Sequence, residues 1–185
     1  MMCQPHEFLF FEGIYTYEGV EYKAYSPSAG SNLDKCRRIV VKVLNLNAAC
    51  ALKNCTFDGK WDGGRGSGQN NLILTSSFYF LATQVGFADI NKPIAIVRPV
   101  DFKIAAKQAC KIKFEDAKST YPNLLEKELP YTCMDLIYQY TLLVDGFGLD
   151  PFQEVTVAKK FVYKDVVVDA SWPLGSAIEA ISSFT

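Results

Sequence analysis

Between Met134 and Val144 the chain is apolar on almost every side. Leu136, Ile137, Tyr140, Leu142, Leu143 and Val144 leave little room for a solvated face. At helix length, that pattern predicts an element packed on several sides in a globular core. It is too short, and too interrupted by Asp135 and Gln139, to cross a bilayer. Gly146 and Gly148 end the helix and hold Phe147 in a tight turn between two residues that tolerate positive φ. Val155–Tyr163 then reads as a strand and Asp169–Phe184 as a helix. Buried helix, glycine turn, strand and helix in that order predict an α/β lobe.

The rest of the pattern fills in around this segment. Phe8–Tyr17 and Val20–Tyr25 are aromatic and β-branched runs split by Glu18-Gly19, a hairpin signal. Ser31 or Asn32 can cap a helix over Asn32–Leu46, with Ile39, Val40, Val43 and Leu44 facing inward. Ala48 to Asn71 reads mostly as loop. Leu72–Ser76 is a brief apolar strand, and Ser76 or Ser77 starts a short helix, Phe78–Val85. Val100–Lys111 has helical spacing, Phe114–Tyr121 continues it irregularly, and Pro122 ends it. No repeat and no linker divides the chain, so one unit is expected.

Composition narrows the function classes. At 185 residues with a net charge of −1, the chain can bury a sizeable core and lacks the basic excess of a nucleic-acid binder. The N-terminus, MMCQPHEF, has neither a basic nor an apolar region of the kind a signal peptide needs, so an export signal would have to lie upstream. Six cysteines with no CxxC, and His6 as the only histidine, support zinc poorly. Structural disulfides and an oxidising compartment are the better reading. Sequence alone permits many pairings of six cysteines. Closeness favours Cys50 with Cys55. Cys110 and Cys133 lie on successive predicted helices joined by a polar connection. Cys3 is then left to tie the N-terminal strand to Cys36 on the first helix.

Motifs for chemistry are sparse. The loop CTFDGKWDGGRGSGQNN carries five glycines between Gly59 and Gly68, but Gly68 is followed by Gln69-Asn70, not the Lys-Ser/Thr of a phosphate-binding P-loop. A surface loop pinned by a Cys50–Cys55 bridge, with Trp61 packed on the lobe, accounts for it. No GxSxG nucleophile is present, and His6 sits at the terminus. Glu115-Asp116, Glu126 and Glu128 read as solvated charges. Asp135 and Asp145 flank the buried helix, where capping or pairing would explain either. Phe78-Tyr79-Phe80 opens a helix after a strand, and Phe147 sits in the glycine turn. Aromatic faces in such places can sandwich a nucleobase, although core packing explains them equally well. In Trp172-Pro173-Leu174-Gly175 the proline fixes a helix start, and helix N-termini attract phosphate.

At these residues a family becomes recognisable. WPLGSAIEAIS at Trp172–Ser182 resembles the fifth signature of the apyrases, the nucleoside triphosphate diphosphohydrolases, in its plant form. CMDLIYQYTLLVDGFGLDP, FEDAKSTYP, VRPVDF, NCTFDG with its glycine loop, and YTYEGVEYKA resemble the same family in the same order. The resemblance covers nearly the whole chain. It implies the actin/hexokinase-like (ribonuclease-H-like) ATPase fold, with residues 1–168 a partial second lobe and residues 169–185 the last helix, which packs on the first lobe. It implies stepwise hydrolysis of nucleoside tri- and diphosphates such as ATP and ADP to the monophosphate and phosphate, with Ca²⁺ or Mg²⁺ entering with the nucleotide. It implies the pairings Cys3–Cys36, Cys50–Cys55 and Cys110–Cys133, and a secretory-pathway or extracellular location. Carbohydrate binding is described for some plant members. Asn54-Cys55-Thr56 is a formal glycosylation sequon.

By the same resemblance, Trp172 lies near the metal–phosphate cleft and supports it without ligating metal, while Tyr79 and Phe147 are candidates for stacking on the base. The family's two phosphate loops and its catalytic glutamate have no counterpart among these residues, with no DAGS-like or DLGG-like run present. Catalytic residues are therefore expected outside this chain. The 185 residues alone are expected to be inactive, because phosphoryl transfer depends on positioning and electrostatics at the phosphates. Two other readings stand beside this one: a catalytically dead truncated apyrase fragment, and a binding module for carbohydrate or nucleotide. An unpaired sheet edge and exposed apolar faces predict self-association.

Overall fold

The structure is a computed structural model that describes residues 9–27, 31–51, 55–60, 72–163 and 166–169. The architecture is mixed α/β, as expected. Strands β1 (Leu9–Tyr17) and β2 (Val20–Pro27) form an antiparallel hairpin. Its two-residue turn has positive φ at both Glu18 (50°) and Gly19 (77°), the backbone that matches the twist of paired strands. Helix α1 (Leu33–Val43) follows. Asn32 caps it by accepting a hydrogen bond from the Lys35 backbone N–H at 3.0 Å.

A three-stranded sheet carries the middle of the chain. Strand β3 (Ile73–Thr75) pairs in parallel with β5 (Val155–Ala158), and β5 pairs antiparallel with β4 (Ile94–Val97), giving the order β3-β5-β4. The sequence reading does not contain β4. It has four residues, is flanked by Pro93 and Pro99, and lies at a sheet edge, so no alternation long enough to announce it exists. The strand expected over Val155–Tyr163 is two strands. The chain leaves the sheet at Lys159, whose N–H donates to the Pro93 carbonyl at 2.9 Å, and β6 (Lys160–Tyr163) then forms a hairpin with β7 (Val166–Asp169). The helix expected over 169–184 meets β7 at Asp169, and its remaining residues lie outside those described.

Helices α2 (Ser77–Gln84), α3 (Pro99–Ala109), α4 (Phe114–Thr120) and α5 (Thr132–Thr141) complete the unit. α5 is the expected central helix and packs against both α1 and α3. Leu136 and Ile137 are fully buried with Phe102 of α3 and Val157 of β5. Each such side chain contributes about 1.5–3 kcal/mol relative to exposure. Thr141 is also buried, its hydroxyl donating to the Ile137 carbonyl at 2.7 Å.

The end of α5 differs from a simple glycine stop. Leu142–Gly146 widens into one turn of π-helix, a feature that inserts a residue into the helical ladder. Gly148 has positive φ (68°), whereas Gly146 does not, so only one side of Phe147 needs left-handed backbone. Arg37 of α1 donates to Asp145 at 2.7 Å and ties this wide turn to the first helix.

Disulfides join Cys50 to Cys55 and Cys110 to Cys133, with Cα atoms 5.8 and 4.8 Å apart. Both match the expected pairings. Cys36 is fully buried, its sulfur 3.6 Å from that of Cys133. Its expected partner, Cys3, lies outside the described residues, as do Asn54, Trp61 and Trp172.

Candidate functional site

A cavity of about 640 Å³ opens at the carboxyl end of β3, in the size range of a small-molecule site. Carboxyl ends of strands in open α/β sheets are where ligands bind, because the turn into the next helix leaves a crevice there. Here the turn is Ser76. Its backbone (φ 56°, ψ −119°) lies where non-glycine residues are strained, and strain of this kind concentrates at functional turns. The bend lets β3 run directly into α2, and the Ser76 carbonyl accepts the Phe80 N–H at 3.0 Å to open the helix. It is the backbone shape of a nucleophile elbow, but no histidine lies among the described residues to serve as its base.

One wall of the cavity is α2, presenting Ser76, Ser77, Phe80, Leu81 and Gln84. The other is the segment entering α5, presenting Leu124, Glu128, Thr132, Asp135, Tyr138 and Gln139. Within α2 and α5 the lining residues recur at spacings of three and four, as one helix face demands, while Leu124 and Glu128 stand in the turns before α5. Phe80 is 42% exposed and Tyr138 39% exposed, so two aromatic rings line a wet cavity. Lys159 places its ammonium 5.6 Å from the centroid of the Phe80 ring.

The α5 wall carries two carboxylates, Glu128 and Asp135, which as ionised groups are acceptors only. Glu128 accepts the Leu125 N–H at 3.1 Å, and Thr132 donates to the Glu128 carbonyl at 3.3 Å. Asp135 is exposed as a residue and opens into the cavity. Desolvation of its carboxyl at the cavity wall raises it to about 6, and the Glu128 carboxylate nearby adds to the shift. Gln139 is 4% exposed, and its side-chain oxygen is buried without a hydrogen-bond partner.

The residues expected to bind a base are not brought together. Tyr79 is 3% exposed, and its hydroxyl donates to the Lys92 carbonyl at 2.8 Å, so its ring belongs to the core. The neighbouring Phe80 presents its face instead. Phe147 packs edge-on against Phe57 at 5.8 Å and does not line the cavity. It lies eight residues beyond Gln139, past the end of α5 and the π turn. Sequence reasoning passed over Phe80, Glu128, Asp135 and Gln139 as a group. The spacing of 132, 135 and 139 was the available signal, since it puts polar side chains on one face of an otherwise apolar helix, with Glu128 in the turn just before it. Among the described residues, no three His, Cys, Asp or Glu side chains converge as metal ligands, so these residues do not fit a metal centre of their own.

Known proteins resemble this chain along most of its length. Nucleoside-triphosphatase of Pisum sativum is 54% identical over 174 residues, which is 94% of this chain and 38% of that protein. Apyrase of Solanum tuberosum is 47% identical and Apyrase 1 of Arabidopsis thaliana 49% identical, each over 174 residues, 94% of this chain and 38% and 37% of those proteins. The chain therefore spans less than two fifths of the length of these relatives. A solved Ppx/GppA family protein of Aquifex aeolicus superposes with a TM-score of 0.48 at 9% identity, over 94% of this chain and 53% of that one. The model of the GDA1/CD39 (nucleoside phosphatase) family matches residues 3–185, and with that match the chain belongs to the GDA1/CD39 nucleoside phosphatase family.

Proposed function

We propose that this chain supplies the nucleobase-binding part of an apyrase, a phosphohydrolase that cleaves nucleoside tri- and diphosphates to the monophosphate. The observation that carries the reading is the half-exposed ring of Phe80 in a cavity of ligand size at the carboxyl end of β3. A base lying on that ring gains stacking contact, with Tyr138 on the opposite wall adding apolar surface. Family membership supports nucleotide phosphohydrolysis as the reaction, and the actin/hexokinase type of lobe fits the parallel β3–β5 pair with its helices.

The division of labour follows from which groups are present. Phe80 and the α5 wall bind and orient the base. Loops that grip phosphate belong to other parts of the enzyme, together with the glutamate that activates water and any Ca²⁺ or Mg²⁺ carried by the nucleotide. Holding the base fixes where the terminal phosphate lies, and positioning is most of what phosphoryl transfer asks of a protein. The 185 residues alone bind nucleotide weakly and do not turn it over. Trp172, by the family resemblance, supports the phosphate cleft from the last helix.

Two measurements on the purified chain test this. Phosphate release from ATP and ADP with Ca²⁺ is expected to be undetectable, and turnover at the level of a full-length apyrase overturns the assignment of catalysis elsewhere. AMP binding, followed by ligand-observed NMR, is expected for the native chain. Phe80→Ala should weaken it by about tenfold, the loss of one base–aromatic stack. Unchanged binding in that variant removes Phe80 from the site.

A further inference from the structure

The α5 wall has a chemical bias that bears on which base enters. Its charged groups are the carboxylates of Glu128 and Asp135, while Lys159, a cation placed near the site, sits by the Phe80 ring and not on this wall. One oxygen of Glu128 already accepts the Leu125 N–H. Asp135 accepts no hydrogen bond among the described residues and faces the cavity from one turn before Gln139. The Gln139 amide is almost fully buried, with its oxygen unpartnered. An ionised carboxylate only accepts hydrogen bonds, and two adjacent N–H donors satisfy it best. Guanine carries such an edge, N1–H beside the N2 amino group. Adenine offers an amino group beside a bare N1 lone pair, and uracil a single N–H between two carbonyl oxygens. Both leave one carboxylate oxygen facing another acceptor.

We infer that Asp135 is a specificity-determining residue of this chain, accepting the N1–H and N2 amino group of a guanine ring stacked on Phe80. The inference rests on the nucleobase reading of the cavity. Gln139, four residues on, holds an amide whose two ends can exchange by a flip, so it can present either a donor or an acceptor to the ring.

Affinities of the 185-residue chain for GMP, IMP and UMP, measured by ligand-observed NMR at pH 7.5 with EDTA, test the assignment. IMP keeps N1–H and lacks the N2 amino group, so the GMP-to-IMP ratio isolates one hydrogen bond to the carboxylate. That ratio is expected to be on the order of tenfold in the native chain, with UMP weaker than IMP. Asp135→Asn should bring the ratio to about one, because an amide offers one acceptor and a repelling N–H. Phe80→Ala should weaken all three nucleotides by the same factor. Circular dichroism establishes that each variant is folded. Equal affinities in the native chain, or a ratio retained by Asp135→Asn, overturn the role of Asp135. If Phe80→Ala still weakens all three in that case, the base site stands and only its selectivity has been misassigned. If Phe80→Ala changes nothing, the base site itself falls.

Discussion

Tyr79 and Phe80 are neighbours in sequence with opposite placements. Their ring centroids lie 5.5 Å apart at 80°, yet the Tyr79 ring is buried while the Phe80 ring faces the cavity. Successive residues on a helix point about 100° apart, so a strand that turns into α2 at Ser76 cannot show both rings to one ligand. The buried ring is anchored by its hydroxyl on the Lys92 carbonyl, in the loop that leads to β4.

That anchor gives the first prediction. Tyr79→Phe keeps the packed ring and removes the hydroxyl, leaving the Lys92 carbonyl without this donor. A net loss of about 1 kcal/mol is expected in urea unfolding, with no change in AMP affinity. A change in AMP affinity with stability intact would place Tyr79 in the binding site after all.

Asp135 supplies the second, through pH. Its carboxyl ordinarily titrates at 3.8 and is raised to about 6 in the folded chain. The folded state therefore holds the proton more tightly than the unfolded state between those values, and stability falls as pH rises from about 4 to about 6. Above 6 the group is charged in both states, and the folded chain carries the cost. Asp135→Asn is neutral at every pH, so it should melt higher than the native chain at pH 7.5 and at the same temperature near pH 3.5. Because the carboxyl opens into the cavity, solvent screens it, and the gain is expected to be on the order of 2 °C. Scanning fluorimetry at the two pH values decides it; an equal gain at both would mean packing, not charge, is responsible. A carboxylate that weakens the fold at neutral pH is what a binding group looks like before its ligand arrives.

A third prediction concerns the two described disulfides. Cys110–Cys133 spans 23 residues and clamps α3 to α5 beside the buried sulfur of Cys36, whereas Cys50–Cys55 spans five in a loop. Chain entropy assigns about 3.5 kcal/mol to the longer closure and about 2 kcal/mol to the shorter. Replacing both cysteines of a pair with alanine should thus cost more at 110/133, and the gap should widen because those side chains are buried in the core. Equal urea midpoints for the two double variants would contradict the clamp.

The fold was more legible than the site, for a physical reason. α5, the Glu18-Gly19 hairpin and the Asn32 cap each rest on local chemistry: periodicity, a turn with positive φ, and a short polar side chain at a helix start. β4 and the break at Lys159 were not legible, because four-residue strands take their identity from partners far along the chain. Within the site, aromatic residues could be found from sequence, but the phase of α2 could not, and phase decides which of Tyr79 and Phe80 faces out. Glu128 reads as a solvated charge until the segment before α5 is seen to fold over the mouth of the cavity.

The last prediction concerns the far face of the sheet. Register places Ile73 of β3, Thr156 of β5 and Ile96 of β4 in one row, with Thr75, Ala158 and Ile94 in the next. Leu74, Val157 and Val155 point the other way into the core. Ala158 in the middle of the second row is buried, but the isoleucines of the two edge strands are open: Ile73 is 51% exposed and Ile96 68% exposed. Among the described residues, β3 and β4 are also both edges, a place where backbone groups can pair with another strand. An apolar row beside an open edge favours association of the 185-residue chain with itself. Ile96→Lys puts a charge at the β4 end of that row without touching the core, and lysine on an edge strand resists pairing. Sedimentation velocity should show the native chain associating as concentration rises and the variant shifted toward monomer. Melting temperature and AMP binding should stay within error of the native chain, since the cavity lies beyond the end of β3 and not on this face. A native chain that sediments as a single monomer at every concentration would mean residues outside those described, rather than a second copy, cover the row.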